Sequence, residues 1–330
     1  MKAFDTWERV LLALLALLLI GFGLLLPGFM SPYAIADSTF NFSEKGIIAL
    51  GMALLIVAGE IDLSIAATMA LCSLAMGLVK QQGGGSSVML LAAFFTGAVA
   101  GALNGWLVTR YRLPAIVVTI GTMSLYRGIA LVVLGDKAVT GYPESLSVLG
   151  NGYLGDLVGL PWLIVPIEFT LLLLCAAGVG TLLHFTVAGR RIFAIGANPI
   201  AARFSGIEVD RIRLALFIFA GLTAALAAVM LTGRIGSTRP NIALGWELDA
   251  VTMVILGGVA IEGGRGSIVG VMLAVLLLGL FTFALGMANV SGIVMSMIVG
   301  VLLIAAMVLP RVLPHLMPRL RPRTLAAAKA

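Results

Sequence analysis

Long runs of apolar residues recur along this chain, and each is close to the length that a membrane-spanning helix needs. About 20 apolar residues cross the hydrocarbon core of a bilayer. Ten segments fit this pattern, at residues 10–26, 42–59, 63–79, 88–108, 114–134, 163–185, 212–232, 250–261, 267–285 and 291–309. The first lacks a signal-peptide cleavage site and is expected to stay as a helix, and 250–261 is short enough to be a partial span. The pattern predicts an all-α polytopic integral membrane protein with about ten transmembrane helices.

Composition supports the same class. Of 330 residues, 61% are hydrophobic and only 11% are charged, whereas soluble domains carry about 25% charged residues. Cys72 and Cys175 both lie inside apolar runs, so the sequence suggests neither a disulfide framework nor a metal site. We expect a single transmembrane domain over residues 1–330.

The basic residues predict an orientation. With ten crossings and the N-terminus inside, 14 of the 21 Lys and Arg residues fall on the cytoplasmic side and five fall opposite. Lys and Arg are enriched in cytoplasmic loops. The bias predicts that both termini, including a basic tail at 310–330, are cytoplasmic, and it explains the net charge of +6 without a nucleic-acid partner.

Two hydrophilic stretches differ in character. Residues 135–162 are rich in Gly and carry three acids against one Lys, which indicates an external loop. Residues 186–211 are basic and contain Asn198 followed by Pro199. Asn is a favoured helix N-cap and Pro fits the first helical position, so we predict a short cytoplasmic helix at 199–205. From composition alone, that helix could lie on the membrane surface or dock another protein.

Several chemistries have no support in the sequence. No Lys follows a Gly, so the phosphate-binding loop that ends in Gly-Lys-[Ser/Thr] is missing and the chain cannot hydrolyse ATP by that route. "GNGYLG" at 150–155 resembles a dinucleotide fingerprint, but it falls in the external loop and no strand precedes it. The two histidines have no neighbouring ligand set. We therefore expect no catalytic residue, no metal and no cofactor bound by this chain.

Polar residues at membrane depth are the candidate functional groups, because an ionisable group there usually faces a cavity or a protein partner. Arg127 either lines a path for a polar solute, or it has a structural role, in which it snorkels to the interface or pairs with an acid to hold helices together. Asn104 follows Gly97 and Gly101 in a helix that continues to Gly105, and this spacing favours close helix packing.

Acids recur before apolar segments, as "GEID" at 59–62 and "WELD" at 246–249. Asp62 and Asp249 could simply start helices. One helix over 46–79 would be about 51 Å long at 1.5 Å per residue, so the acids at 60 and 62 must mark a reversal of the chain. We expect Asp62 to cap the helix that follows and Glu60 to be the stronger functional candidate. The residues considered for a translocation path or gate are Glu60, Asp62, Asn104, Thr122, Arg127, Glu247 and Asp249.

Five segments stand out together: "GEIDLS" (59–64), "LPAIVVTIGTMSLYRGIAL" (113–131), "GRRIFAIGANPIAARFSGI" (189–207), "GWELDAVTMVILGG" (245–258) and "GGRGSIVG" (263–270). They resemble the permease subunits of bacterial ribose, xylose, arabinose and galactose-type ABC importers, and they occur in that family's order over about residues 40–310. The stretch "GTMSLYRG" with "LGDKAVTGYPES" is most similar to the rhamnose branch, with the autoinducer-2 branch next.

This resemblance implies an ABC importer permease in the bacterial inner membrane. Its partners would be a cytoplasmic ABC ATPase that binds ATP and Mg, a second permease copy or paralogue, and a periplasmic sugar-binding protein. The solute would be a monosaccharide such as a rhamnose-like deoxyhexose, or autoinducer-2. The family's ATPase-contacting residues correspond here to Arg190, Arg191, Asn198, Pro199, Ala201, Ala202, Arg203 and Gly206.

A rival of another class is an ion-coupled secondary transporter. It would use membrane acids such as Glu60 or Asp62 as proton or cation sites, and it would need neither partner chains nor a helix at 199–205.

Overall fold

The computed structural model describes residues 6–160 and 162–316. Within them the chain forms fifteen α helices and one two-stranded antiparallel sheet. In chain order these are α1 (Thr6–Leu25), α2 (Pro32–Phe40), α3 (Ser43–Val57), α4 (Ile65–Gln81), α5 (Ser86–Tyr111), α6 (Ala115–Leu134), β1 (Val139–Thr140), α7 (Glu144–Asn151), α8 (Leu154–Val158), α9 (Ile167–Phe185), α10 (Val187–Ala197), α11 (Pro199–Phe204), α12 (Val209–Ile235), β2 (Ser237–Thr238), α13 (Trp246–Leu256), α14 (Ile268–Met287) and α15 (Gly292–Leu316).

Each predicted apolar segment lies on a helix, which confirms the all-α polytopic class. In the described part of the chain, six helices are long and apolar enough to cross a membrane, namely α1, α5, α6, α9, α12 and α14. A seventh span would be α2 with α3, which meet at a bend of 50°. The predicted partial span at 250–261 corresponds to α13, which ends at Leu256 after 11 residues.

Helix α12 lies at the centre of the bundle and packs against α5, α3 and α4. Small residues allow the closest of these approaches. Gly97 and Gly101 of α5 face the backbone carbonyls of Gly221 and Phe217 of α12, where a Cβ atom would collide with the backbone. The close packing predicted from the spacing of Gly97, Gly101 and Gly105 is therefore confirmed.

The loops gather at two ends of the bundle. At one end, which we call the α11 end, the Gly264 amide donates to the Val57 carbonyl at 2.8 Å, and Gly196 packs against both residues. The start of α1 lies there too, because the indole of Trp7 donates to the Leu256 carbonyl at 2.8 Å. The loops predicted to be cytoplasmic thus meet at one end, together with the N-terminal helix. Most of the basic tail, residues 317–330, lies outside the described residues.

The opposite end, which we call the sheet end, carries the small sheet. Strand β1 pairs with β2 so that Val139 is opposite Thr238. The sheet therefore joins the loop predicted to be external, 135–162, to the connection between α12 and α13. Nearby, Tyr153 donates to Asp37 at 2.8 Å, and burial together with this carboxylate raises the pKa of Tyr153 to about 12.

The predicted reversal at Glu60 and Asp62 is present, because α3 ends at Val57 and α4 begins at Ile65. Gly59 turns the chain with a φ of +83°, a conformation that glycine adopts at little cost. The expectation that Asp62 caps α4 is wrong. The N-cap is Ser64, and Asp62 accepts from the backbone N–H and the hydroxyl of Ser64 at 2.8 and 2.6 Å.

Candidate functional site

The short helix α11 forms as predicted from Asn198 and Pro199. The Asn198 side chain accepts hydrogen bonds from the amides of Ile200 and Ala201, both at 3.0 Å, and Pro199 is the first helical residue. The predicted helix 199–205 is observed at Pro199–Phe204. The sequence did not indicate α10, which directly precedes it and whose last residue is Ala197.

Helix α11 is attached by one face and exposed on the other. Ala202 is only 4% exposed, whereas Ile200 and Phe204 are 67% and 90% exposed. Six of the eight residues predicted to contact an ATPase are also exposed: Arg190, Arg191, Asn198, Ala201, Arg203 and Gly206. The exposed face of α11 thus combines apolar and basic side chains at the end of the bundle.

An ion pair ties α11 to the start of α12. A guanidinium nitrogen of Arg203 lies 2.5 Å from Asp210 Oδ1. Arg203 is therefore engaged within its own chain, which the sequence did not suggest because the partner lies beyond the turn at 205–208. Arg211 pairs separately with Glu208 at 2.6 Å on a more exposed surface.

Glu60 is held by a second ion pair from α12. Its Oε1 lies 2.9 Å from Nε of Arg213, and the two side chains are only 9% and 19% exposed. A cleft of about 350 Å³ opens beside this pair. Its wall includes Glu60, Arg112, Pro199, Arg203, Asp210 and Arg213. The cleft thus separates α11 from the α3–α4 loop, and charged groups line both of its sides.

Asp62 and Asn104 belong to one buried polar network. The Asn104 amide donates to the Ser64 hydroxyl at 2.8 Å, and the same hydroxyl donates to Asp62. Tyr126 of α6 donates to the Ala100 carbonyl at 3.0 Å and approaches Asn104 Oδ1 at 3.4 Å. The network joins the α3–α4 loop to α5 and α6, and it consists of neutral donors around one acid.

Arg127 contacts backbone carbonyls. One guanidinium nitrogen donates to the carbonyls of Pro240 and Ile242 at 2.8 and 2.7 Å. The side chain therefore fastens α6 to the connection between β2 and α13 at the sheet end. Of the two roles considered for Arg127, these bonds favour holding elements together, although its partners are carbonyls and not an acid.

Asp249 lies in the first turn of α13, but it does not cap that helix, whose N-cap is Gly245. Its Oδ2 lies 2.6 Å from Nζ of Lys45 on α3. The same ammonium group lies 5.0 Å from the centre of the Trp246 ring, within the range of a cation–π contact. Asp249 therefore joins α13 to α3, and the half-buried Glu247 lies in the same turn.

The seven residues considered for a path or gate do not form one group. Glu60, Asp62 and Asn104 lie toward the α11 end, and Arg127, Glu247 and Asp249 lie toward the sheet end. Thr122 is buried on α6, where its hydroxyl points back to the Thr119 carbonyl at 3.4 Å.

Sequence reasoning missed a buried charge cluster at the sheet end. Glu44 of α3 and Glu168 of α9 are both 0% exposed. Arg234 of α12 donates from Nε to Glu44 at 2.8 Å, and Glu168 lies 4.0 Å from the same nitrogen. A usable signal existed, because each Glu begins an apolar segment, where charge is rare.

Comparisons with known proteins agree with this architecture. Residues 34–307 match the family described as "Branched-chain amino acid transport system / permease component". The chain is 37% identical over 298 residues to the "Autoinducer 2 import system permease protein LsrD" of Escherichia coli (strain K12) and of Shigella flexneri, covering 90% of each chain. No solved structure shows a significant match. Because the family match covers most of its length, the chain belongs to this family of transport-system permease components.

Proposed function

We propose that this chain is the membrane-spanning subunit of an ATP-driven importer for a small polyhydroxylated solute. The observation that carries the proposal is the short helix α11. This N-capped helix lies at one end of the helix bundle, and an ion pair joins it to the long central helix α12. A surface helix of this kind suits transmission of motion from a partner protein into the bundle.

The partner proposed for α11 is a cytoplasmic ABC ATPase, which would bind ATP and Mg itself. Ile200 and Phe204 supply the exposed apolar anchors, and Arg190 and Arg191 supply exposed positive charge on the preceding helix, α10. Buried apolar anchors within a rim of complementary charge are typical of specific interfaces. We therefore expect the ATPase surface to present an apolar pocket bordered by acids.

Two ion pairs give a route from α11 into the bundle. Arg203 connects α11 to Asp210 on α12, and one turn further along α12, Arg213 holds Glu60 in the α3–α4 loop. Movement of α11 would act on both, because rigid helices and paired charges transmit small displacements. We propose that Glu60 belongs to the gate on this side and that Asp62 and Asn104 position its loop.

The opposite end would receive the solute from a periplasmic binding protein. Residues 135–162 and 233–248, joined by the small sheet, form the proposed docking surface. The α11 end would then face the cytoplasm with both chain termini, in the bacterial inner membrane. A second copy of the chain, or a paralogue, would complete the pathway.

A monosaccharide, first a rhamnose-like deoxyhexose, is the proposed solute. Autoinducer 2 is the second candidate, and a specific observation favours it, since similar relatives carry that import system in their names. A thermal-shift screen of the co-encoded binding protein against both compounds decides between them. Stabilisation by neither compound would contradict both assignments.

Uptake into proteoliposomes tests the transport mechanism. The vesicles would contain this permease, its co-encoded ATPase and the binding protein. We expect the solute to accumulate only when ATP is present on the side of the membrane where the ATPase lies. An inactive ATPase variant is the matched control. Accumulation driven by a proton or sodium gradient without ATP would establish the ion-coupled transporter instead. High-affinity solute binding by the permease alone would also argue against this division of labour.

A further inference from the structure

The strongest site outside the transport argument is the charge cluster of α3, α9 and α12. Arg234 Nε donates to Glu44 Oε1 at 2.8 Å and lies 4.0 Å from Glu168 Oε2. Both carboxyl groups are completely buried. One guanidinium, on a side chain that is 21% exposed, thus faces two acids that are closed off from the surface.

Most of the carboxyl oxygens in this space have no hydrogen-bond partner. They are Oε2 of Glu44 and both oxygens of Glu168. Ionised carboxylates accept several hydrogen bonds, and burial without them is strongly unfavourable. The Glu168 group is therefore poorly suited to carry a negative charge as it stands.

Among the residues that the structure describes, only Arg234 forms an ion pair with these two acids. Lys45 follows Glu44 on α3, but its ammonium group is bound to Asp249 of α13 at 2.6 Å. From α2, Asp37 is engaged with Tyr153. From α7, Asn151 contributes a neutral amide, which donates to the Arg234 carbonyl at 3.1 Å. With both acids ionised, the Glu44, Glu168 and Arg234 group would hold one uncompensated negative charge.

We propose that Glu44 and Glu168 share one proton and form, with Arg234, a buried proton-binding site. One bound proton makes the group neutral as a whole. It also turns one carboxyl group from an acceptor into a donor, so that it can donate to an acceptor oxygen that would otherwise have no partner. Two carboxylates that share a site commonly hold a single proton for this reason.

The bound proton explains how one arginine can fasten three helices. Arg234 compensates one carboxylate, and the proton removes the repulsion between that carboxylate and the second acid. Loss of the proton would push α9 away from α3 and α12 at the sheet end. The site is therefore a positioning element of that end, and it is separate from the ion pairs at the α11 end.

Infrared spectroscopy of the full chain in lipid nanodiscs tests the proposal directly. Glutamate labelled with ¹³C at the side-chain carboxyl separates these groups from aspartate. At neutral pH we expect a label-sensitive C=O band equal to about one protonated glutamic acid, following the one-proton sharing of paired carboxylates. The band should disappear in Glu168→Gln and also in Glu44→Gln, since each variant leaves Arg234 with a single acid. Glu208→Gln, which changes an exposed pair, should keep it.

Three results would overturn the assignment. The first is a wild-type spectrum without a protonated glutamic acid, which is decisive even if the variants fail to fold. The second is a band that survives in both cluster variants. The third combines two observations: the band is absent in sodium buffer, and the wild type unfolds at a higher temperature in sodium than in choline. Together these would show that an alkali cation occupies the site in place of the proton.

Discussion

Arg213 on α12 and Glu60 in the α3–α4 loop form an ion pair of 2.9 Å at the α11 end. Both side chains are largely buried, and the loop reverses the chain between two helices of the bundle core. The pair therefore connects the central helix to the turn that sequence reasoning singled out for its acids.

Glu60→Gln should weaken both stability and coupled transport, because it leaves the Arg213 guanidinium without its counter-charge. Removing one partner of a buried ion pair costs about 3–5 kcal/mol, and we expect a smaller loss here because the Arg213 side chain is 19% exposed. Solute uptake and ATPase stimulation in proteoliposomes measure the coupling, and thermal unfolding measures the stability. Glu208→Gln, in an exposed ion pair, is the control. Full, normally coupled transport in Glu60→Gln would reduce Glu60 to a packing residue.

Arg203→Glu should lower ATPase stimulation while the permease still inserts, because it places an acid against Asp210. The double variant Arg203→Glu with Asp210→Arg exchanges the two charges and so restores an ion pair at the same place. Recovery in the double variant would assign the effect to the pair within the chain. If stimulation stays low although α11 remains folded, the docking surface itself requires Arg203. Unchanged transport in the single variant would remove Arg203 from the coupling residues.

Asn198→Ala should fray the first turn of α11, because its side chain satisfies two backbone amides there. Loss of an N-cap costs about 1 kcal/mol, which is enough to populate an unfolded α11 but not to unfold the bundle. We expect reduced ATPase stimulation with an unchanged unfolding temperature. Asn198→Asp preserves the cap and should behave as wild type. Equal activity of Asn198→Ala and wild type would show that the cap is dispensable.

Gly101→Ala should destabilise the bundle, because its Cβ would meet the Phe217 backbone of α12, which cannot move as a side chain can. Overpacking of this kind costs about 1–3 kcal/mol. Gly121→Ala in α6 is the matched control, since no atom lies within 4 Å of the new Cβ. The control should gain up to about 1 kcal/mol from helix propensity. Equal unfolding temperatures for the two variants would contradict the packing between α5 and α12.

Arg127→Met should release the connection between β2 and α13, because the bonds to the Pro240 and Ile242 carbonyls are lost. A hydrogen bond from a charged group contributes about 1.5–3 kcal/mol. Faster proteolysis at 237–245 with reduced stability would establish the anchoring role. Arg127→Lys, which keeps the positive charge but replaces the guanidinium by a single ammonium group, should be intermediate. Reduced transport with normal protection of this segment would instead favour a role in lining the path.

The helices and the reversal could be predicted because they depend on local properties. Apolar segment length located the helices, and Asn198 before Pro199 identified the start of α11. The candidate acids were harder to interpret. Asp62 was expected to cap α4, but the helix begins at Ile65, and a carboxylate two residues before the N-cap reaches the Ser64 amide instead.

The sequence by itself determined the membrane class, the segments that become helices, the close packing at Gly97 and Gly101, and the short helix at Asn198. These follow from hydrophobicity, side-chain size and capping, which act over a few residues. Only the tertiary structure decided the partners of the charged groups. Arg213 pairs with Glu60, and Arg234 pairs with Glu44, which is 190 residues away in the chain. A buried charge is costly without an opposite charge beside it, and the packing of the helices decides which opposite charge is near.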